Sequence, residues 1–376
     1  MSIKLSAVLS LLIGFLTIRP CIQAQEPLRI ERDKVFASYG VVVPKSIALF
    51  PIERQIGKVF EQVISQQGTT LLRLHFQVQS APQTPSWAVR VLDTTRAELW
   101  SYSSASSSAA DFWSTELPRD RVIVEIYSVQ VNSPLKLAID RFAVSAPPIT
   151  PKSITPPDQR VDIESQSAEI RQWGRSVARL RFIGDDGRQY LCTGFLVSSD
   201  LLLTNHHCIK SDSEMRSALV DFDYDSSGAP PTTLQLRELV AKDRDLDFAL
   251  LRLAESPSRQ ALSLDPTEPD QDQGLLVIQH PAGLPKQVSI LDCRVNGTQV
   301  SGLSSRTTDF GHLCDTLGGS SGSPVQTTAS GKVIGLHHLG FRSGSDKLFN
   351  QAVKIGLIVQ FLRDNNPAVL GELGIR

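Results

Sequence analysis

The stretch Cys314-Asp315-Thr316-Leu317-Gly318-Gly319-Ser320-Ser321-Gly322-Ser323-Pro324-Val325 sets serines among glycines. Glycine lets a backbone turn sharply and come close to a substrate, so this is the shape of an exposed nucleophile. The same turn aims two main-chain N–H groups, those of Gly319 and Ser321, at one point where an oxyanion can sit. Ser321 has one glycine directly after it and another two residues before it, which makes it the hydroxyl of choice; Ser320 and Ser323 are the rivals. On its own the stretch also reads as a Gly/Ser surface turn. A serine hydroxyl is a weak nucleophile without a base beside it, and the chain supplies one. Leu201-Leu202-Leu203-Thr204-Asn205-His206-His207-Cys208 ends an apolar run in two histidines and a cysteine. Further on, Asp245-Leu246-Asp247-Phe248-Ala249-Leu250-Leu251 puts an acid at the mouth of an apolar strand. His75, His280 and His312 lack such companions and read as structural.

Histidine, aspartate and serine in that order, worded TNHHC, DFALL and GGSSGSPV, resemble the chymotrypsin-like serine proteases. Within them the wording is similar to the bacterial branch that includes the glutamyl endopeptidases. The likeness covers roughly residues 165–370, and the first third of the chain lies outside it. It implies that His207 takes the Ser321 proton and later delivers it to the leaving amine, while Asp247 holds the imidazole in the right tautomer. His207 is preferred to His206 because it directly precedes a cysteine, as the family's base does; Asp245 is the runner-up acid. The likeness also implies a bridge between Cys192 and Cys208 beside the histidine, which leaves Cys293 and Cys314 to pair. In the family the primary specificity pocket is walled by residues just before the nucleophile and by a strand after it. Thr316 and His337 match the threonine and histidine with which glutamyl endopeptidases hold a carboxylate, and a cationic imidazole favours an acidic side chain. Asp315 argues the other way, since an acid there selects Lys and Arg in trypsin-like enzymes. Alternate residues of an extended segment point opposite ways, so Thr316 in the pocket turns Asp315 out of it. The expectation is cleavage after acidic residues, Glu before Asp. Digestive relatives carry an aspartate before the nucleophile that pairs with a newly cut N-terminus; Ser320 stands there instead, so that activation is not expected. A protease fold acting only as a binding protein is the alternative, although no triad member is missing.

These residues need elements to position them. Met1 to Ala24 reads as a signal peptide: Lys4, then an apolar run from Leu5 to Leu16 too short to span a bilayer, then Ile22-Gln23-Ala24. Export makes the protein secreted or periplasmic, with no membrane anchor, and takes Cys21 away, leaving four of five cysteines for two bridges. Net charge is −1, from 38 basic and 39 acidic residues, so nothing favours nucleic acid or a membrane as partner. The partners expected are protein or peptide substrates. No C-x-x-C or H-E-x-x-H spacing suggests a metal, and no cofactor is implied.

Residues 25–145 read as an accessory domain, a small antiparallel β-sandwich with strands over Leu72 to Val78, Arg121 to Val129 and Leu135 to Ile139. Pro51 to Gly68 fits either a helix or a strand. Trp100, Tyr102, Phe112 and Trp113 are core, or else an exposed platform for a carbohydrate or protein ligand. Residues 146–160, with Pro147, Pro148, Pro151, Pro156 and Pro157, read as an extended linker that holds two domains apart and is open to nicking. In 161–376, strands are expected over Val177 to Phe182, Tyr190 to Val197, Leu201 to Thr204, Leu236 to Val240, Phe248 to Leu253, Leu275 to Gln279 and Val333 to His337, with a helix over Ala352 to Phe361. The fold class is all-β: a chymotrypsin-like double β-barrel with a short C-terminal helix.

Overall fold

The computed structural model describes residues 37–49, 56–81, 87–105, 110–128, 135–149, 152–154, 156–341 and 349–375. The signal-peptide reading and Pro51 to Gln55 lie outside them. The chain is mostly β. Its N-terminal part holds eight strands: β1 (Ala37–Leu49), β2 (Gly57–Ser65), β3 (Leu72–Ser80), β4 (Trp87–Leu92), β5 (Glu98–Ser103), β6 (Asp111–Trp113), β7 (Arg121–Ser128) and β8 (Lys136–Ile149). One sheet runs β1-β8-β3-β6 and the other β2-β7-β4-β5. Their inner faces meet in one cluster with Leu74, Phe76, Val89, Val124, Ile126 and Phe142 at its centre. The described part of the ambiguous segment is a strand, because Val59 and Ile64 are buried in the sandwich core. Phe112 and Trp113 are buried too, with Tyr102 stacked on Phe112 at 3.8 Å between ring centres. Phe112 and Trp113 therefore build core, where large apolar surfaces gain most from leaving water, and the half-buried Trp100 and Tyr102 pack against it.

The remainder begins with two short strands, β9 (Lys152–Ser153) and β10 (Val161–Asp162), and a short helix α1 (Ala168–Gly174). Six strands follow: β11 (Val177–Ile183), β12 (Arg188–Leu196), β13 (Leu201–Thr204), β14 (Leu219–Phe222), β15 (Thr232–Asp243) and β16 (Phe248–Leu253), with helix α2 (Asp212–Ser217) among them. They pair in the order β11-β14-β15-β16-β13-β12, and β12 returns to β11, which closes a barrel. A second sheet contains β17 (Leu275–Gln279), β18 (Gln287–Ser289), β19 (Asp309–His312), β21 (Pro324–Thr327), β22 (Val333–Leu339) and β23 (Asn350–Lys354), in the order β10-β18-β17-β21-β22-β23-β19. The two-residue strand β20 (Thr316–Leu317) stands apart and pairs with β9. Helices α3 (Ile355–Asn365) and α4 (Pro367–Glu372) end the chain. Ala352 to Lys354 belong to β23 rather than to the helix, since Ala352 and Val353 pair with β19 and β22.

A single apolar cluster joins the barrels, with Phe195, Leu203, Phe248 and Leu250 from the first against Leu276, Ile278, Val333 and Leu336 from the second. Ile358 and Leu362 of α3 seal it, with Phe361 edge-on to Phe248 at 5.3 Å. Burying such side chains contributes roughly 1.5–3 kcal/mol each, and this packing fixes the distance between groups the two barrels carry.

The proline-rich stretch does not hold two bodies apart. β1 pairs with β12, so the sandwich continues the sheet of the first barrel. Arg73 is buried under it, donating to the carbonyls of Ser114 at 3.0 Å and Ser217 at 2.9 Å. Arg181 forks onto Asp221 at 2.6 and 2.8 Å and also meets Glu116, which accepts from Tyr39. Pro147 and Pro148 fall within β8, and β9 lies against β20.

Candidate active site

Two glycines shape the serine turn. Gly319 has φ +97°, and a Cβ there would meet the His280 carbonyl at 2.9 Å. Gly322 has φ +87°, and a Cβ would sit 2.0 Å from the Thr193 carbonyl and 2.3 Å from Thr204 Oγ1. Any other residue at either place meets both left-handed strain and a clash with main chain. Thr193 of β12 pins the turn from the first barrel: its N–H donates to the Ser321 carbonyl at 2.8 Å and its hydroxyl to the Gly319 carbonyl at 2.8 Å. The N–H groups of Ser320, Gly322 and Ser323 are committed to the carbonyls of Leu317, His337 and Ser320. Among the described residues, no protein carbonyl accepts from the N–H of Gly319 or Ser321. Both rival hydroxyls are engaged, Ser320 with Gln279 Oε1 and Ser323 with the Ser320 carbonyl at 2.6 Å.

Histidine and acid come from the first barrel. β13 ends at Thr204, and the buried Asn205 donates to the Asp247 carbonyl at 2.9 Å, tying the turn after β13 to the start of β16. His207, not His206, meets the acid: Nδ1 lies 2.6 Å from Asp247 Oδ2, and the His207 N–H donates to Oδ1 at 2.9 Å. Asp247 has φ +47°, a conformation that persists in a non-glycine residue only where surroundings over-determine it. Burial alone would raise its pKa; the His207 charge and hydrogen bond, then those of His338, hold it far below the carboxylate range. Asp245 instead points outward and pairs with Arg306 at 3.4 Å. The disulfide Cys192–Cys208 follows His207 directly, and Cys208 Sγ approaches the Ser321 carbonyl at 3.9 Å, which brings the serine turn of the second barrel up to the segment that carries His207. Cys293 and Cys314 form the second bridge. The sulfurs of Cys192 and Cys208 lie near His207, but within a disulfide they are not thiolate ligands for a metal.

Four residues that sequence reading passed over complete the arrangement. Gln279 ends β17, donates to the Asp315 carbonyl at 2.9 Å and accepts from Ser320, so a buried amide takes the place of an activating ion pair. Thr193 is the hub between barrels. His338 bridges Asp247 at 3.1 Å and Asp309 at 2.8 Å. The doublet His337-His338 in an apolar strand carried a signal for this, since adjacent strand residues point to opposite faces and each buried ring needs its own partner.

Two of the specificity candidates, Asp315 and His337, have partners within the protein. The Asp315 carboxylate accepts from the Gln159 N–H at 2.9 Å and so faces the proline-rich stretch. His337 is 2 % exposed, with Nδ1 3.1 Å from His312 Nε2, so His312 does have a companion. Burial, then His312, His338 and His207, push the His337 pKa well below its ordinary value; in this state the ring is neutral, not cationic. Ser153 lies between Thr316 and the Gly340-Phe341 segment. It pairs with Thr316, its hydroxyl donates to the Phe341 carbonyl at 3.0 Å, and a Cβ on Gly340 would meet that hydroxyl at 1.9 Å.

Residues 192–336 match the family profile of the trypsin-like peptidase domain. The chain is 32 % identical over 167 residues to the secreted RxLR effector protein 73 of Plasmopara viticola, covering 40 % of this chain and 42 % of that protein. It is 31 % identical over 172 residues to the uncharacterized protein y4fB of Sinorhizobium fredii, covering 39 % and 25 %. The matches thus span less than half the length of these curated relatives. Among solved structures, the serine endoprotease from Yersinia pestis aligns with a TM-score of 0.41 at 18 % identity, over 52 % of this chain and 64 % of that one. The active form of the Rv3671c protease from M. tuberculosis aligns with a TM-score of 0.43 at 18 % identity, over 56 % and 85 %.

Proposed function

We propose that this chain, a serine peptidase by its trypsin-like peptidase domain, is an exported endopeptidase that works through His207, Asp247 and Ser321. The observation that carries the reading is the pair of hydrogen bonds between His207 and Asp247, one by ring and one by main chain, with the turn of Ser321 pinned from the same barrel by Thr193. Ser321 Oγ attacks the scissile carbonyl carbon while His207 Nε2 takes its proton, and the carbonyl electrons move onto an oxygen cradled by the Gly319 and Ser321 N–H groups. Collapse expels the amine with the proton from His207. Water then enters by the same route and releases the acid, restoring the serine. Export is supported by the N-terminal sequence pattern and by two disulfides.

The finer reading is a preference for Glu before the cut bond, recognised at Thr316 and His337. The neutral state of His337 changes how this works: a substrate carboxylate brings the counter-charge that lets the ring take up a proton, so acidic substrates bind with proton uptake and better at low pH. Selection of Lys or Arg by Asp315 is disfavoured, because its carboxylate is turned to Gln159. Cleavage-site profiling on a digested proteome tests activity and specificity together. Cuts after Glu support the reading. Cuts after Lys or Arg overturn the pocket assignment, and an absence of cuts that Ser321→Ala would abolish overturns the enzyme.

A further inference from the structure

Both ring nitrogens of His338 face carboxylates, and the ring is almost completely buried. An imidazole donating from both nitrogens carries a proton on each. The alternative is a proton on Asp309, but its oxygens are already acceptors. Oδ2 takes a hydrogen bond from Gln351 at 2.9 Å and Oδ1 one from Thr308 at 2.8 Å. Burial would push the His338 pKa down; Asp309 and then Asp247 outweigh it and raise the value to about 9.

From these contacts we infer that His338 is a positioning residue of the hydrolytic site, tying Asp247 to Asp309 so that the acid orienting His207 is held from behind. The inference rests on the triad reading above. Asp247 Oδ2 accepts from His207 on one side and His338 on the other, at 2.6 and 3.1 Å, so the carboxylate keeps its place while the His207 ring changes charge. The groups facing His338 are Asp247 from the start of β16, Asp309 from β19, His207 beyond Asp247, and the neutral rings of His312 and His337. When His207 takes the serine proton, the row Asp309, His338, Asp247, His207 alternates in sign from end to end. Loss of the His338 charge leaves an uncompensated negative pair and makes His207 a stronger base but a poorer proton donor to the leaving amine.

Nitrogen-15 spectra of histidine-labelled Ser321→Ala protein at pH 8 test the charge without needing activity. His338, assigned by its loss in a His338→Gln variant, shows two protonated ring nitrogens while the neighbouring rings are neutral; a neutral His338 overturns the inference. In the active protein, His338→Gln keeps one donor but no charge. The expected result is kcat lower on the order of tenfold with KM unchanged, and the acid limb of kcat/KM moved up by about one pH unit. Asp309→Asn, which leaves every contact of His207 in place, lowers kcat likewise. An unmoved acid limb with a lower melting temperature marks a purely structural residue and sinks the inference. If wild-type Ser321 reacts with no fluorophosphonate and cleaves nothing, it is the triad reading that fails, whatever His338 shows.

Discussion

Replacing Ser153 with tryptophan should raise turnover of a peptide substrate. Ser153 lies between Thr316-Leu317 and Gly340-Phe341, beside the proposed pocket residue Thr316 and just beyond the strand that carries His337. If Thr316 lines the pocket as proposed, a substrate side chain would have to displace this strap. The strap is held by the Ser153 hydroxyl on the Phe341 carbonyl at 3.0 Å, by Asn350 on the Ser153 carbonyl at 3.3 Å, and by the Gln159 N–H on Asp315 at 2.9 Å. At about 1 kcal/mol net for each hydrogen bond, the strapped form is favoured by roughly 3 kcal/mol, on the order of a hundredfold. An indole does not fit a slot where the serine hydroxyl already crowds Gly340, so the variant stays open. Apparent affinity scales with the competent fraction, so kcat/KM should rise towards a hundredfold, mostly through KM. Labelling of Ser321 by a small fluorophosphonate, which needs no side-chain pocket, should change far less. The assay is kcat/KM on a fluorogenic peptide beside the labelling rate. Equal kcat/KM in wild type and variant, with both fully labelled, would refute the strap.

Ser321→Ala should lose on the order of 10⁴- to 10⁶-fold in turnover with an unchanged circular dichroism spectrum, whereas a loss confined to Ser323→Ala would mean a different nucleophile. Gln279→Leu leaves Ser320 without its partner and loosens the Gly319 turn; a fall in kcat of about 10²-fold is expected, with KM little changed, and an unaltered rate would show that the turn is held elsewhere. Stability should peak near neutrality. His338 has a raised folded pKa, so its contribution is full below about 6.5 and lost as pH rises through about 9, roughly 3 kcal/mol in all. His280, His312 and His337 have lowered values, so the unfolded chain gains protons below about pH 6.5 that the folded chain refuses, up to about 1.4 kcal/mol per unit for each. Urea midpoints at pH 5, 7 and 9 read both limbs, and His338→Gln should remove the alkaline one alone.

The parts of the fold easiest to read in the sequence were those buried on both faces. Leu201–Thr204, Phe248–Leu253 and Leu275–Gln279 are predominantly apolar, and each is a strand over that same span. β15 and β8 extend well past the spans read from the sequence, because each is an inner strand whose ladders to two neighbours run on beyond its periodic residues. The proposed triad is read from order and neighbours, since each member sits in a local motif. Gln279 and Asp309 could not: each has an ordinary local sequence, and its meaning comes from a partner dozens of residues away, Ser320 for one and His338 for the other. The proline-rich stretch is extended where described, as its composition implies, but composition does not say what an extended segment lies against.

The groups that hold the nucleophile turn are almost all neutral. Ser320 meets an amide, Gly319 and Ser321 are pinned by Thr193, and the Asp315 carbonyl is held by Gln279 and by Ser289 at 2.7 Å. A turn held this way has its contacts made within the protein without an ammonium group from a cut chain. Cutting can still act on what fills the pocket. Pro156, Pro157 and Asp158 are exposed and sit between β9, which lies along one pocket wall, and Gln159, whose N–H meets Asp315. A nick there frees one end of the strap while the sandwich stays joined to the barrel through β1 and the buried Arg73 and Arg181 contacts. If Thr316 and His337 line the pocket as proposed, control would lie in the occupancy of the substrate cleft rather than in the turn, and the pairing of β1 with β12 would keep the strap close enough to compete.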